Sequence, residues 1–188
     1  MANIFIIHGA YGHPEENWIP WLKEELEKEG HKVFAPRFPT PKNQTLTEWN
    51  GVFRKYEDYF TPDSIVIGHS LGVAFLLRFL GRGTTRIKAA FFVSGFTGSL
   101  NNSDFDTINA SFIHKKFWFA KVKESCKKIF IFHSDNDPYV PLSDAKILEK
   151  NLGGKLVIIK GGGHFNEQAG YTKFEELLEE INEVLQKC

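Results

Sequence analysis

Short apolar runs rich in Ile, Val and Phe recur along this chain, each followed by a turn and then a longer amphipathic stretch. That alternation constrains the fold more than any other feature. A continuous apolar run of four or five residues reads as a strand buried on both faces, and the amphipathic stretch as a helix that covers one of them. Repeated strand–helix alternation defines an α/β protein: a three-layer α/β/α arrangement whose sheet is mostly parallel. Strands are expected at Ile4–Ile7, Lys32–Ala35, Ser64–Ile67, Ala89–Val93, Ile129–Phe132 and Leu156–Ile159. A length of 188 residues with no repeat or long linker suits one domain over residues 1–188.

Several helix ends are readable. Pro20 suits the first turn of a helix through Trp21–Glu29, with Gly30 at its end. Thr45 with Glu48, and Thr172 with Glu175, have the spacing of a capping box. Leu71–Leu80 reads as a buried helix stopped by Gly81, and Ser143–Asn151 as one ending at Gly153–Gly154. The last helix runs to about Lys187, with Phe174, Leu177, Leu178, Ile181 and Leu185 on one face. The segment from Phe96 to about Lys116 resists this scheme, because Gly, Ser, Asn and Asp punctuate it, with Phe105, Phe112 and Phe117 interspersed. It is either a loop serving as a lid or binding wall, or a short helix covering the sheet edge.

Composition removes several classes of function. Lys plus Arg equals Asp plus Glu at 23 each, so no global field attracts polyanions and nucleic acid is not the expected partner. The apolar run at the N-terminus is too short for a signal peptide or a membrane span, so no membrane partner is expected. Cys126 and Cys188 make no disulfide framework and read as plain thiols, which sets a cytoplasmic location as the expectation. No Cys/His spacing suggests zinc, and Gly161–Gly163 lacks the Lys and Ser/Thr of a phosphate cradle. No metal or cofactor is expected.

The chemistry-bearing string is Gly68-His69-Ser70-Leu71-Gly72. G-x-S-x-G is short enough to arise by chance, and its setting gives it weight. It directly follows the apolar run Ser64–Ile67 and directly precedes the helical run from Leu71, the strand–turn–helix context that a nucleophile elbow needs. There the serine hydroxyl projects above the sheet at a helix N-terminus, where N–H groups and the helix dipole favour developing negative charge. A serine needs a base, and the base needs orienting. Both follow in the order Ser, acid, His. Asp135 and Asp137 lie in the loop after Ile129–Phe132, and His164 lies in the Gly-rich loop after Leu156–Ile159. Asp137 is favoured as the acid because Asp-x-x-Val-Pro sets it before the turn into the next helix; Asp135 is the alternative, capping the turn instead. Among the other histidines, His31 and His114 read as surface residues, His8 and His133 as hydrogen-bonded supports, and His69 as pointing away from Ser70. The oxyanion hole needs two backbone donors. One is the N–H of Leu71, and the other comes from the loop after the first strand, with Ala10 preferred and Tyr11 the alternative. Tyr11, His13, Trp18, His69 and Phe165 are expected to contact substrate in a shallow, open site, with the Phe96–Phe117 segment as a further wall.

Taken together, His8-Gly9, Gly68-His69-Ser70-Leu71-Gly72, Asp137-x-x-Val140-Pro141, Gly163-His164-Phe165-Asn166 and Trp18-x-Pro20-Trp21-Leu22 resemble the small α/β-hydrolases of the YdeN and retinoblastoma-binding protein nine family. The match spans nearly the whole chain. The resemblance implies a serine hydrolase with catalytic Ser70, Asp137 and His164, and a trimmed six-stranded sheet in the order 2-1-3-4-5-6. It supplies no substrate. Neither cysteine sits in the L-x-C-x-E string that a retinoblastoma-type pocket requires, so that partner is not carried over and a protein partner stays unknown. The expected reaction is hydrolysis of a small ester, thioester or related acyl substrate through an acyl-enzyme. Its competitors are acyl transfer by the same triad and a non-catalytic interaction module on the same fold.

Overall fold

A computed structural model of the chain describes residues 1–186; the expected end of the last helix at Lys187 and the thiol of Cys188 lie outside the described residues. Six strands, β1 (Asn3–Ile7), β2 (Lys32–Phe34), β3 (Ile65–His69), β4 (Ile87–Val93), β5 (Cys126–Ser134) and β6 (Lys155–Ile159), form one sheet in the order β2-β1-β3-β4-β5-β6. Every pairing is parallel. Around it lie α1 (Ile19–Lys28), α2 (Leu46–Phe53), α3 (Leu71–Leu80), α4 (Ser103–Ile113), α5 (Phe119–Glu124), α6 (Leu142–Leu152) and α7 (Glu175–Gln186).

The continuous apolar runs are explained by two cores, one on each face of the sheet. Phe5, Ile7, Val66, Phe92 and Ile131 meet α2 to α6, while Ile4, Ile6, Ile67, Phe91, Val93 and Phe132 meet α1 and α7. Alternate side chains of one strand therefore feed opposite cores, as parallel crossovers require. Phe91 stands in register with Phe130 and their rings stack at 4.6 Å, a pair worth about 0.5–1.5 kcal/mol beyond its buried area. α3 is buried nearly all round because it lies between the sheet and α4 and α5. No helix among the described residues is long and apolar enough to cross a membrane.

Local signals account for most boundaries. Pro20 sits in the first turn of α1, Thr45 Oγ1 accepts the Glu48 N–H at 3.2 Å to cap α2, and Gly153 ends α6 at φ 69°. Thr172 does not cap α7, which begins only at Glu175, after Thr172 N–H has turned back to the Gly170 carbonyl. β5 starts at Cys126, three residues before Ile129, since exposed Lys127 and Lys128 pair along the end of β4. His31, expected at the surface, is half-buried and accepts the Ala2 N–H. Cys126 is a buried free thiol, and burial pushes it up to about 12. The segment after Phe96 is mainly helix: α4 is capped by Asn102, whose side chain accepts the Phe105 N–H at 3.1 Å. Its Phe112 is buried against Trp49.

Candidate active site

Ser70 is the single residue between the last position of β3 and the first of α3, and it has φ 54° and ψ −118°. A positive φ in a residue with a Cβ is strained and must be held by its surroundings. Two close approaches hold it. A Cβ on Gly72 would stand 2.3 Å from the Ile7 carbonyl oxygen, and one on Gly68 would stand 2.9 Å from the backbone of Gly72 and Val73. Only glycine at both positions lets α3 rise so steeply beside β1. The Ser70 N–H donates to the Val93 carbonyl at 2.9 Å, tying the turn to β4. As the first residue of α3, Leu71 presents an N–H with no partner in the helix, at the positive end of the helix dipole. Gly9 packs against Ser70, its added Cβ falling 3.0 Å from Ser70 Cβ, so the loop after β1 borders the hydroxyl. In that loop the Tyr11 N–H donates to Thr40 Oγ1 at 2.7 Å, whereas Ala10 N–H has no acceptor among the described residues.

The loops after β5 and β6 meet at three consecutive residues. Asp135 Oδ1 accepts the Gly161 N–H at 2.8 Å, Asn136 Oδ1 accepts the Gly163 N–H at 2.8 Å, and Asp137 Oδ2 lies 2.8 Å from His164 Nδ1. The two aspartates thus have separate partners, and only Asp137 reaches the imidazole. Its Oδ1 also accepts the N–H groups of Tyr139 and Val140 at 2.9 and 3.0 Å. Burial of the Asp137 side chain raises its carboxyl, but the His164 hydrogen bond and charge, with the two N–H groups, outweigh it and hold the group below the usual carboxylate range. An ionised carboxylate at Nδ1 places the imidazole proton there and leaves Nε2 free as a base. His133 supports the same turn: it is fully buried, and its Nε2 donates to the Val140 carbonyl at 3.0 Å and lies 4.0 Å from Asp137 Oδ2. His8 is buried beside Phe38 and Trp49, donating through Nδ1 to Gly9 O and accepting at Nε2 from Phe38 N–H. Burial lowers it to about 4. Ser70 Oγ makes no hydrogen bond among the described residues, so the closed half of the constellation is the His164–Asp137 half.

Three residues expected to touch substrate do not line the site. Trp18 and Phe165 are fully buried in the core beneath the sheet face that carries α1 and α7, packed with Phe174. Their chain positions border the site, but the backbone turns their rings down into that core. His69 is buried too, with Nε2 against the His164 carbonyl oxygen at 2.8 Å. Of the remaining two, Tyr11 is exposed, and His13 is half-exposed with its ring between Glu15 and Glu16. Tyr139 was not anticipated. It is exposed, and its ring stands edge-on to His164 at 5.1 Å. Asn136 and Thr40 were also missed; small polar residues in loops carry no sequence signal that separates a loop-holding role from a solvated one. Surface clefts of about 730 and 600 Å³ lie elsewhere, lined by Leu77, Arg78 and Trp118 and by Phe60, Phe79 and Arg82. Among the described residues no cluster of three His, Cys, Asp or Glu could hold a metal ion.

A strained serine after β3 and a carboxylate–imidazole pair brought from the ends of β5 and β6 make this an α/β-hydrolase in fold and layout. Comparison with known proteins narrows that class: the chain belongs to the serine hydrolase family, whose model matches residues 4–183. It is 30% identical to the YdeN hydrolase of Bacillus subtilis (strain 168) over 171 residues, 90% of this chain and 88% of that one. It is 27% identical to serine hydrolase RBBP9 of Rattus norvegicus over 169 residues, 89% of this chain and 86% of that one. The crystal structure of the B. subtilis ydeN gene product superposes with a TM-score of 0.92 at 28% identity, covering 100% of both chains. The protein is a serine hydrolase.

Proposed function

We propose that this hydrolase cleaves small acyl esters or thioesters through an acyl-enzyme on Ser70. The observation that carries the proposal is the 2.8 Å contact between Asp137 Oδ2 and His164 Nδ1, beside an elbow serine. His164 Nε2 takes the Ser70 proton as Oγ attacks the carbonyl carbon, and the tetrahedral oxyanion is held by the N–H groups of Leu71 and Ala10. Tyr11 N–H is already given to Thr40, which favours Ala10 as the second donor; such a donor is worth about 10²–10³ in rate. The imidazolium then passes its proton to the leaving alcohol or thiol. Water enters by the same route, giving its proton to His164 and its hydroxyl to the acyl carbon, and frees the acid and Ser70.

The size of the substrate follows from what surrounds the hydroxyl. The two clefts above are apart from the triad, the ring that meets His164 is that of exposed Tyr139, and Tyr11 in the loop after β1 is exposed too, beside half-buried Phe105. An acyl chain there stays largely in water. Each methylene therefore gains little of the about 0.8 kcal/mol, or about fourfold, that enclosure would give. A series of p-nitrophenyl esters from acetate to laurate tests this. The expected kcat/KM is flat or falling from butyrate onwards, and absent throughout in Ser70→Ala. A rise of about fourfold per added methylene would overturn the small-acyl reading.

A further inference from the structure

The segment that carries His164 is poorly suited to hold a base still. Gly161, Gly163 and Phe165 have φ of 74°, 55° and 49°, so three of five consecutive residues occupy the left-handed region, and three glycines give the unbound segment wide freedom. Asp135 and Asn136 fix its N–H groups from one side. Its carbonyls are fixed from the other. His69 Nε2 meets the His164 carbonyl at 2.8 Å and Trp18 Nε1 donates to the Phe165 carbonyl at 3.0 Å. A carbonyl oxygen only accepts, so His69 carries its proton on Nε2.

We propose that His69 and Trp18 are positioning residues for His164: buried N–H donors, one within the elbow and one at the entrance to α1, that clamp consecutive carbonyls and so register the base against the serine next to His69. Several observations converge on this. Both side chains are buried, their rings meet edge-on at 5.8 Å, and the His69 ring lies 4.9 Å from that of His164. Burial lowers His69 to about 3, so it serves as a neutral donor and adds no charge beside the base. Because His69 precedes Ser70 directly, one hydrogen bond spans from the nucleophile's turn to the base's own backbone. The clamp rests on the Ser70–His164–Asp137 reading and deepens it.

The test compares His69→Phe, which keeps a buried ring and deletes the donor, with His69→Gln, whose side-chain amide can restore it. Ester kinetics and the low-field resonance of the His164 Nδ1 proton are read in folded protein. His69→Phe is expected to lower kcat by about 10- to 100-fold with KM nearly unchanged, the scale of a small misplacement of a catalytic group, and to broaden or erase the resonance. His69→Gln is expected to recover most of both. Trp18→Phe removes the second N–H together with part of the buried indole, and it decides the matter if His69→Phe does not fold: in folded protein, a loss in kcat at constant KM supports the clamp. Wild-type kcat in folded His69→Phe or in Trp18→Phe overturns it, as does His69→Gln impaired as severely as His69→Phe. Ser70→Ala and His164→Ala run alongside separate the two readings. If they keep wild-type turnover the triad fails and the clamp with it; if they are inactive while His69→Phe is not, the clamp alone fails.

Discussion

Asp135 and Asp137 stand two positions apart, and their partners assign them different work. Asp135 is exposed and spends Oδ1 on the Gly161 N–H, a bond that an asparagine oxygen could also accept. Asp137 is buried at its side chain, with one oxygen on two turn N–H groups and the other on His164. An amide there would keep an oxygen for the turn but could not stabilise the imidazolium, and it favours the wrong tautomer. Asp137→Asn is expected to lower kcat by about 10³–10⁴-fold, while Asp135→Asn stays near wild type in ester hydrolysis. The reverse pattern would reassign the acid. At this scale the sequence was most legible where a spacing encodes a bond, as in Asp137-x-x-Val140-Pro141, whose aspartate closes on the N–H groups of Tyr139 and Val140. It was least legible for Trp18, His69 and Phe165. Nearness to a motif or to the loop after β1 was clear for all three, but the side of the backbone on which each ring lies depends on local turns with positive φ, at Asn17 before Trp18, at Ser70 after His69 and at Phe165 itself. No spacing rule reports that.

Among the elements, strands were easiest to read where both faces are buried. β1, β3 and β4 are mostly apolar and buried, and stand within a few residues of their expected bounds. The start of β5 and the edge strand β6 mix charged or exposed residues into the run, and the pattern fades there. α4 was ambiguous for a different reason. Its buried or half-buried Phe105, Phe112 and Ile113 fit a helical face, but Asp, Thr, Asn and Ser between them have weak helix propensity and suit turns equally well. Asn102 was the available signal, a cap whose side chain takes the Phe105 N–H. Thr172 shows the converse, since a capping-box spacing is no cap when the preceding chain turns away. Strand order, in contrast, came from a family resemblance; hydrophobic periodicity does not specify which strands are neighbours.

Across the whole molecule, histidines buried in neutral form couple folding to pH. Burial is the main cause that lowers His8 to about 4 and His69 to about 3. In the unfolded chain both titrate near the ordinary 6.5, so below that value the unfolded state binds protons that the folded state refuses. Their stabilisation is fully present above pH about 6.5 and is lost as pH falls, at up to about 2.7 kcal/mol per pH unit for the two together. Asp137, held low in the fold, acts in the same direction in a more acidic window. Urea unfolding across pH 7 to 5 is expected to show a steep fall in stability, and a flat profile would contradict neutral burial of His8 and His69.

The proposed reaction turns on one atom, Ser70 Oγ, and a fluorophosphonate probe reads it directly through the modified peptide identified by mass spectrometry. A single adduct on Ser70 is expected in the folded wild type, absent in Ser70→Ala and strongly slowed in His164→Ala. A folded protein that takes up no probe, or carries the adduct on another residue, would contradict it.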